Sequence, residues 1–317
     1  MIIERNWHNI SAENYNSVIA LGSFDGIHLG HQKLIGEAVR LAKQLNTKPA
    51  VLTFSPHPAK ILAPNKTHCL ILPEEKKYQL LASMGIEMVL AIKFDAVFTQ
   101  MSAQDFIEKI LLNALKVKHI ITGYNFHFGY AKQGNTLLLQ ECSDQGKFGY
   151  TQIPQVIIDD HHVSSSLIKE YLGYGAIGVV CKLLGRDYTL TGVVQQGLGK
   201  AGNTLGFPTA NIWLENGYAY PARGVYLATV KHQGKEYVGI INLGKRPTFK
   251  KSARRLLLEV HLFDFNQDIY NHKLEINLKA FIRPEVHFSD IKSLREQIAR
   301  DCVAARYILN NARILLK

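Results

Sequence analysis

The sequence predicts an α/β unit followed by an all-β unit that ends in one long helix. Up to about residue 125, short apolar runs alternate with segments of helical spacing. Beyond about residue 186, strand-like segments follow one another with only Gly, Asn and Pro turns between them. The first apolar run also hands over to a helix through a loop carrying three glycines and two histidines.

In the N-terminal part the apolar runs 17–21, 50–54, 86–92 and 118–122 are separated by helical patterns at 30–45, 74–84 and 102–115. Leu34, Ile35, Ala38, Val39, Ala42 and Leu45 recur at helical spacing in the first of these helices, with Lys and Arg between them. The third opens on Ser102, three residues before Asp105, a capping pattern. Such alternation implies a parallel sheet covered by helices on both faces, with ligands at the carboxyl ends of its strands. In the C-terminal part, 189–194, 225–231, 236–243, 256–263 and 274–282 read as strands of an antiparallel barrel or sandwich. A final helix follows, its apolar face formed by Ile291, Leu294, Ile298, Ala305 and Leu309, with Ser293 and Glu296 as its expected capping box. Residues 164–184, helical and broken by glycine, join the parts, so domains are expected at 1–182 and 183–317.

A length of 317 residues fits two domains, and 47% hydrophobic with 20% charged residues is a globular composition that excludes a disordered or fibrous chain. The start, MIIERNWHNI, is too polar for a secretory leader, and no apolar run approaches the ~20 residues of a membrane span. A cytoplasmic protein without a membrane partner is therefore expected. Cys69, Cys142, Cys181 and Cys302 form no CxxC pair, which argues against a zinc site or a disulfide frame. Of the net charge of +11, most lies in the C-terminal part: residues 1–182 hold 17 Lys and Arg against 15 Asp and Glu, and residues 183–317 hold 20 against 11. That excess suits polyanionic nucleotides or nucleic acid, and equally a solvated surface.

The loop GSFDGIHLGH, residues 22–31, sits where an apolar strand meets a helix. This arrangement aims backbone N–H groups and the positive end of the helix dipole at an anion, and Gly22, Gly26 and Gly30 let phosphate oxygens approach the main chain. His28 and His31 add donors suited to oxygens that gain charge during phosphoryl chemistry. The competing metal-pair reading finds only Asp25 nearby as a third ligand.

The pattern G-x-F-D-G-x-H-x-G-H resembles the nucleotidyltransferase signature in the form found in prokaryotic FAD synthetases, the bifunctional riboflavin kinase/FMN adenylyltransferases. The resemblance implies catalytic roles for His28 and His31, with Gly22, Phe24, Asp25, Gly26 and Gly30 on the nucleotide phosphates. Thr53-Phe54-Ser55-Pro56-His57-Pro58 resembles the family's T-F-x-P-H-P element, which puts Pro56, His57 and Pro58 near the flavin. Gly123-Tyr124-Asn125-Phe126-His127-Phe128-Gly129 resembles G-x-[DN]-F-x-F-G, implying Asn125 on phosphate and Phe126 and Phe128 by the flavin, although core packing is the better reading for at least one of these rings. Val163-Ser164-Ser165-Ser166-Leu167-Ile168-Lys169 resembles I-S-S-T-x-I-R. Ser164 and Ser165 then cap a helix and donate to phosphate, while Lys169 neutralises departing pyrophosphate. Ser166 and Lys169 stand where threonine and arginine are usual.

In the C-terminal part Leu205-Gly206-Phe207-Pro208-Thr209-Ala210-Asn211 resembles the G-F-P-T-A-N signature of riboflavin kinases, which makes Thr209 and Asn211 ligands of the Mg²⁺ carried by ATP. The glycine-rich stretch 197–206 is expected to bring Gly199, Lys200 and Gly202 to the ATP phosphates, with Ala201 and Asn203 where relatives usually carry basic residues. The run 258–265, LEVHLFDF, resembles L-E-x-H-x-x-D-F and assigns Glu259 as the base that takes the proton of the ribityl 5′-hydroxyl. Weaker matches begin at Pro221, Asn242 and Leu294, the second of which includes Arg246 as a flavin contact.

The resemblance runs from about residue 18 to 306. It implies a Rossmann-like nucleotidyltransferase domain followed by an antiparallel β-barrel riboflavin kinase domain. Riboflavin, FMN and ATP are then the small-molecule partners, FMN and FAD the products, and no nucleic acid is expected. A monomer and a weakly self-associating chain both remain open. Two alternatives stand beside this reading. One is a riboflavin kinase whose N-terminal half is impaired, motivated by Ser166 and Lys169; the other is a non-enzymatic flavin- or RNA-binding regulator, motivated by the basic C-terminal part.

Overall fold

The computed structural model describes residues 1–10, 16–65, 67–195, 207–245 and 256–314. The chain divides into two compact units, Met1–Ser165 and Ser166–Lys317.

The first unit is a six-stranded sheet of β1 (Ile2–Glu4), β2 (Val18–Leu21), β3 (Pro49–Ser55), β4 (Met88–Lys93), β5 (His119–Gly123) and β8 (Gly149–Ile153), in the order β1-β4-β3-β2-β5-β8. Every pairing in it is parallel. Two-residue strands β6 (His127–Phe128) and β7 (Gly134–Asn135) pair with each other, as do β9 (Ile157–Ile158) and β10 (His161–His162). The four inner strands are the four apolar runs expected from the sequence. Edge strands β1 and β8 add to them; one is only three residues long and the other, GYTQI, has no apolar run, so neither carries the signal of a strand buried on both faces.

Successive residues of the inner strands point to opposite faces and enter two separate cores. On one face Val18, Ala20, Val51 and Val89 pack with Leu34, Ile35 and Ala38 of α1 (Leu29–Gln44) and with Leu81 of α3 (Glu74–Ser83); the short α2 (Pro58–Leu62) precedes α3. On the other face Ile19, Leu21, Leu52 and Leu90 pack with Phe106, Ile107, Ile110 and Leu111, and with Leu139 of α5 (Thr136–Asp144). The Ser102 cap forms as the spacing predicts: its Oγ accepts the Asp105 N–H at 3.0 Å and opens α4 (Ala103–Asp105). From Phe106 to Ala114 the winding is that of a π-helix, closed by Leu115 N–H to Ile110 O at 2.9 Å. The wider turn keeps Phe106, Ile110, Leu111 and Leu115, spaced by four and five residues, together in the core.

The second unit begins within α6 (Ser165–Gly173), which with α7 (Ile177–Leu184) forms the glycine-broken connector. It continues into a closed barrel of β11 (Tyr188–Gln195), β12 (Ala210–Trp213), β13 (Gly224–His232), β14 (Lys235–Lys245), β15 (Leu256–Leu262) and β16 (Lys273–Pro284). Closure of β16 on β11 decides between barrel and sandwich. Strand β12 overlaps the run expected to carry the metal ligands and is an addition to the strands that the pattern predicts. Fully buried Tyr188 and Tyr226 satisfy their hydroxyls on the carbonyls of Ala219 and Ala222.

Helix α8 (Ile291–Ile314) lies on the outside of the barrel, where Ile298 and Ala305 meet Val225, Leu227 and Ile240. Its start is capped by Asp290, which accepts the Ser293 N–H at 2.8 Å. The expected Ser293 capping box is therefore one turn too late, and the Ser293 hydroxyl instead donates to Asp290 at 2.7 Å. The helix is fastened by a two-point pair: Arg283 Nε to Asp301 Oδ1 at 2.8 Å and Nη2 to Oδ2 at 2.7 Å, with the Asp301 side chain 3% exposed. Asp301→Ala leaves Arg283 charged and unmatched, so unfolding of this unit should be easier by about 3–5 kcal/mol. Urea denaturation followed by intrinsic fluorescence measures this, and an unchanged midpoint would show that the helix is held by its apolar face alone.

Candidate active sites

Strand order reverses at β2, which lies between β3 and β5, and open α/β sheets bind ligands in the crevice outside such a switch point. The loops after β2 and β5 meet there around a cavity of about 430 Å³. Its wall includes Gly22, His28, Gly30, His31, Pro58, Asn125, Phe126, Ser164 and Ser165. Nine residues expected from the sequence are thus brought together from four segments of the chain.

His28 is the N-cap of α1, its Nδ1 accepting the His31 N–H at 3.3 Å. A ring nitrogen that accepts carries no proton, so the neutral imidazole holds its proton on Nε2. The His28 and His31 rings stack with centroids 3.7 Å apart. Burial pushes the His31 imidazole well below its usual range, and the neighbouring charges of His28 and Lys77 act in the same direction, so His31 is neutral at pH 7. The Ser165 hydroxyl donates to the Asp25 carbonyl at 2.8 Å, tying the serine segment to the glycine loop. Ser165 also starts α6, whose first backbone N–H groups have no partner within the helix.

Phe24, Asp25 and Gly26, expected on the nucleotide phosphates, are not in the cavity wall. Phe24 is 0% exposed and belongs to the core beneath α1. Asp25 is 4% exposed and accepts the Ile71 N–H at 2.8 Å. Gly26 turns the loop at φ +85°, where a Cβ would also meet Ile71 Cδ1 at 2.9 Å. These residues shape the loop from behind.

A second cavity of about 490 Å³ is apolar, walled by Phe54, Phe94, Phe98, Met101, Phe106 and Phe128. It shares Phe54, Pro58, His127 and Lys132 with the first, so the two cavities lie side by side, the first the more polar of the pair. Phe128 belongs to the apolar one, whereas Phe126 lines the polar one. Pro56 and His57 line neither: the Ser55–Pro56 bond is cis, and His57 caps α2 by accepting the Ala59 N–H at 3.2 Å. Sequence reasoning missed Phe94, Phe98 and Lys132. The aromatic spacing from Phe94 to Phe106 and the cation just after the Gly123–Gly129 motif were the available signals. Lys169 lies on α6 one turn beyond Ser165.

On the barrel, strand register does what spacing in the sequence cannot. Asn211 of β12 pairs with Glu259 of β15, and Glu259 pairs on its other side with Asn242 of β14. The flanking Ala210, Ile212, Leu258, Val260, Ile241 and Leu243 are buried, so alternation puts Asn211, Glu259 and Asn242 together on the outer face. His261 shares that face, and its Nδ1 lies 2.9 Å from the Pro208 carbonyl, which holds the segment carrying Thr209. Thr209 also borders a cavity of about 320 Å³ with Phe265 and Tyr270. Thr209 and Asn211 are neutral oxygen donors two residues apart, a set that fits a hard cation whose negative ligands come from nucleotide phosphates. Gly199, Lys200, Gly202 and Arg246 lie outside the described residues.

A parallel-sheet unit with an anion crevice at its switch point, joined to a barrel that sets a carboxylate beside neutral oxygen donors, defines a two-domain nucleotide-dependent transferase. The FAD synthetase family model matches residues 10–167, and the riboflavin kinase model matches residues 184–309. The chain is 39% identical over 308 residues to the bifunctional riboflavin kinase/FMN adenylyltransferase of Bacillus subtilis, covering 96% of each chain. It is 36% identical over 312 residues to that of Buchnera aphidicola subsp. Schizaphis graminum, covering 98% of this chain and 99% of the relative. A crystal structure described as a macrolide-efflux protein from Streptococcus pneumoniae matches with a TM-score of 0.86 and 30% identity, covering 96% of this chain and 98% of that one. Among the described residues no helix is long and apolar enough to cross a membrane. The chain belongs to the bifunctional riboflavin kinase/FMN adenylyltransferase family.

Proposed function

We propose that this protein phosphorylates riboflavin to FMN on the barrel and then transfers AMP from ATP to FMN in the parallel-sheet unit, giving FAD and pyrophosphate. The adjacency of the two cavities in the first unit carries the second half of this reading. A flavin mononucleotide joins a planar apolar ring to a phosphate, and here an aromatic cavity adjoins a more polar one lined by a helix N-terminus and two histidines. An FMN phosphate oxygen attacks the α-phosphorus of ATP, and the bond to the β-phosphate oxygen breaks. His28 Nε2–H donates to an oxygen that gains charge, while neutral His31 supports the His28 ring. No covalent enzyme intermediate is needed, so the rate comes from positioning and charge stabilisation.

On the barrel Glu259 takes the proton of the ribityl 5′-hydroxyl as that oxygen attacks the γ-phosphorus of ATP and ADP leaves. Mg²⁺ entering with ATP would be held by Thr209 and Asn211, and when bound it neutralises phosphate charge. A cytoplasmic enzyme acting on these small molecules accounts for both units.

Incubation of the purified protein with riboflavin and MgATP, with flavins separated over time, tests the whole sequence. FMN should appear first and FAD after it. FMN accumulating without FAD would mean that the first unit is impaired, the alternative raised by Ser166 and Lys169 in place of threonine and arginine. No flavin product would favour a binding protein.

A further inference from the structure

We propose that Asn242 is a positioning residue for phosphoryl transfer, its side-chain amide holding one oxygen of the Glu259 carboxylate so that the other is free to meet the substrate hydroxyl. The proposal rests on the reading of Glu259 as the base. Asn242 Nδ2 donates to Glu259 Oε2 at 3.3 Å, from directly across the β14–β15 ladder. A carboxylate only accepts, so the NH₂ of the amide must face it, which defines the amide orientation.

The surroundings give Asn242 little else to do. It interrupts an apolar strand, between Ile241 at 1% and Leu243 at 0% exposure. Its cross-strand partner on the other side is Val225, which is apolar. Two residues along the same face, Gly244 leaves room for a second carboxylate: a Cβ there would lie 2.5 Å from Glu285 Oε1 and 3.7 Å from Asn242 Nδ2. Glu285 is itself paired to Arg223 at 3.3 Å. Other described charged or titratable groups of this face are His261, turned to the Pro208 carbonyl, the Arg283–Asp301 pair at the α8 contact, and Lys231 and Glu236 further along the β13–β14 ladder. Of all these groups, Asn242 is the one seen donating to Glu259. Losing that donor frees the carboxylate to rotate away from the hydroxyl it must meet.

Kinase kcat and KM for riboflavin in Asn242→Leu, Asn242→Asp and Asn242→Gln test this; Leu and Asp keep roughly the native volume without the donor, and Gln keeps an amide donor. FAD formation from added FMN by the same preparation serves as the control for intact protein. In Asn242→Leu and Asn242→Asp kcat should fall about ten- to a hundredfold with KM for riboflavin nearly unchanged, and Asn242→Gln should recover part of that loss. If the Asn242→Leu variant does not fold, the Asn242→Asp variant alone still reports the loss of the donor. Native kcat in a folded variant without the donor, or a KM that rises as kcat falls, overturns the proposal and leaves Asn242 a structural residue. Glu259→Gln separates the two levels: full kinase activity there removes the base assignment and this proposal with it. An inactive Glu259→Gln beside native kcat in the Asn242 variants removes only the proposal.

Discussion

Glu259→Gln should reduce FMN formation from riboflavin by about a thousandfold while leaving FAD formation from supplied FMN near the native rate. The first figure reflects loss of a positioned general base, which contributes about 10²–10⁴. The second follows from the placement of Glu259 on the barrel, outside the unit that holds the phosphate crevice. Gln keeps the volume of Glu and its place between Asn211 and Asn242, so the barrel should remain intact. Separate assays with riboflavin and with FMN, each with MgATP, check both halves. Loss of the two activities together would point to a folding defect or to a role for Glu259 beyond phosphoryl transfer.

The second large effect is expected at His28. Replacing it with Ala removes a donor for developing phosphate charge, worth about 10²–10³ in rate, and also the N-cap of α1, worth about 1 kcal/mol of stability. Asn separates these contributions, because its side-chain oxygen is a good N-cap acceptor while its amide does not reproduce the imidazole Nε2–H. His28→Asn should therefore unfold at nearly the native temperature yet still lose FAD formation about a hundredfold, with FMN formation unaffected. Thermal unfolding together with the FMN-to-FAD assay reads both quantities. Native FAD formation in His28→Asn would reduce the residue to a helix cap.

Much of the site was legible because its chemistry uses short segments with local geometry. The loop 22–31 announces itself by glycines and histidines between an apolar strand and an amphipathic helix, and the structure puts Gly22, His28, Gly30 and His31 in one wall. The same text did not say which loop residues face the cavity. Phe24 is held in the core and Asp25 is engaged by the Ile71 N–H, partners that come from elsewhere in the chain. The aromatic cavity was missed for a similar reason. Phe94, Phe98 and Phe106 look like ordinary core residues in the sequence, and only the folding of their segments against Phe54 and Phe128 makes them one wall. Edge strands β1 and β8 escaped because pattern recognition depends on burial of both faces, which edges lack.

By itself the sequence determined the alternating α/β part, the strand-only part, the final helix and the loops that would carry ligands, since apolar periodicity and glycine placement act over a few residues at a time. Tertiary structure alone decided that the strand-only part closes into a barrel, through β16 on β11, and that Asn211, Glu259 and Asn242 stand in one row. Register between strands depends on pairings among residues 17 to 48 positions apart in this row. No local pattern encodes such pairings, because they are set by which apolar side chains fill the interior together.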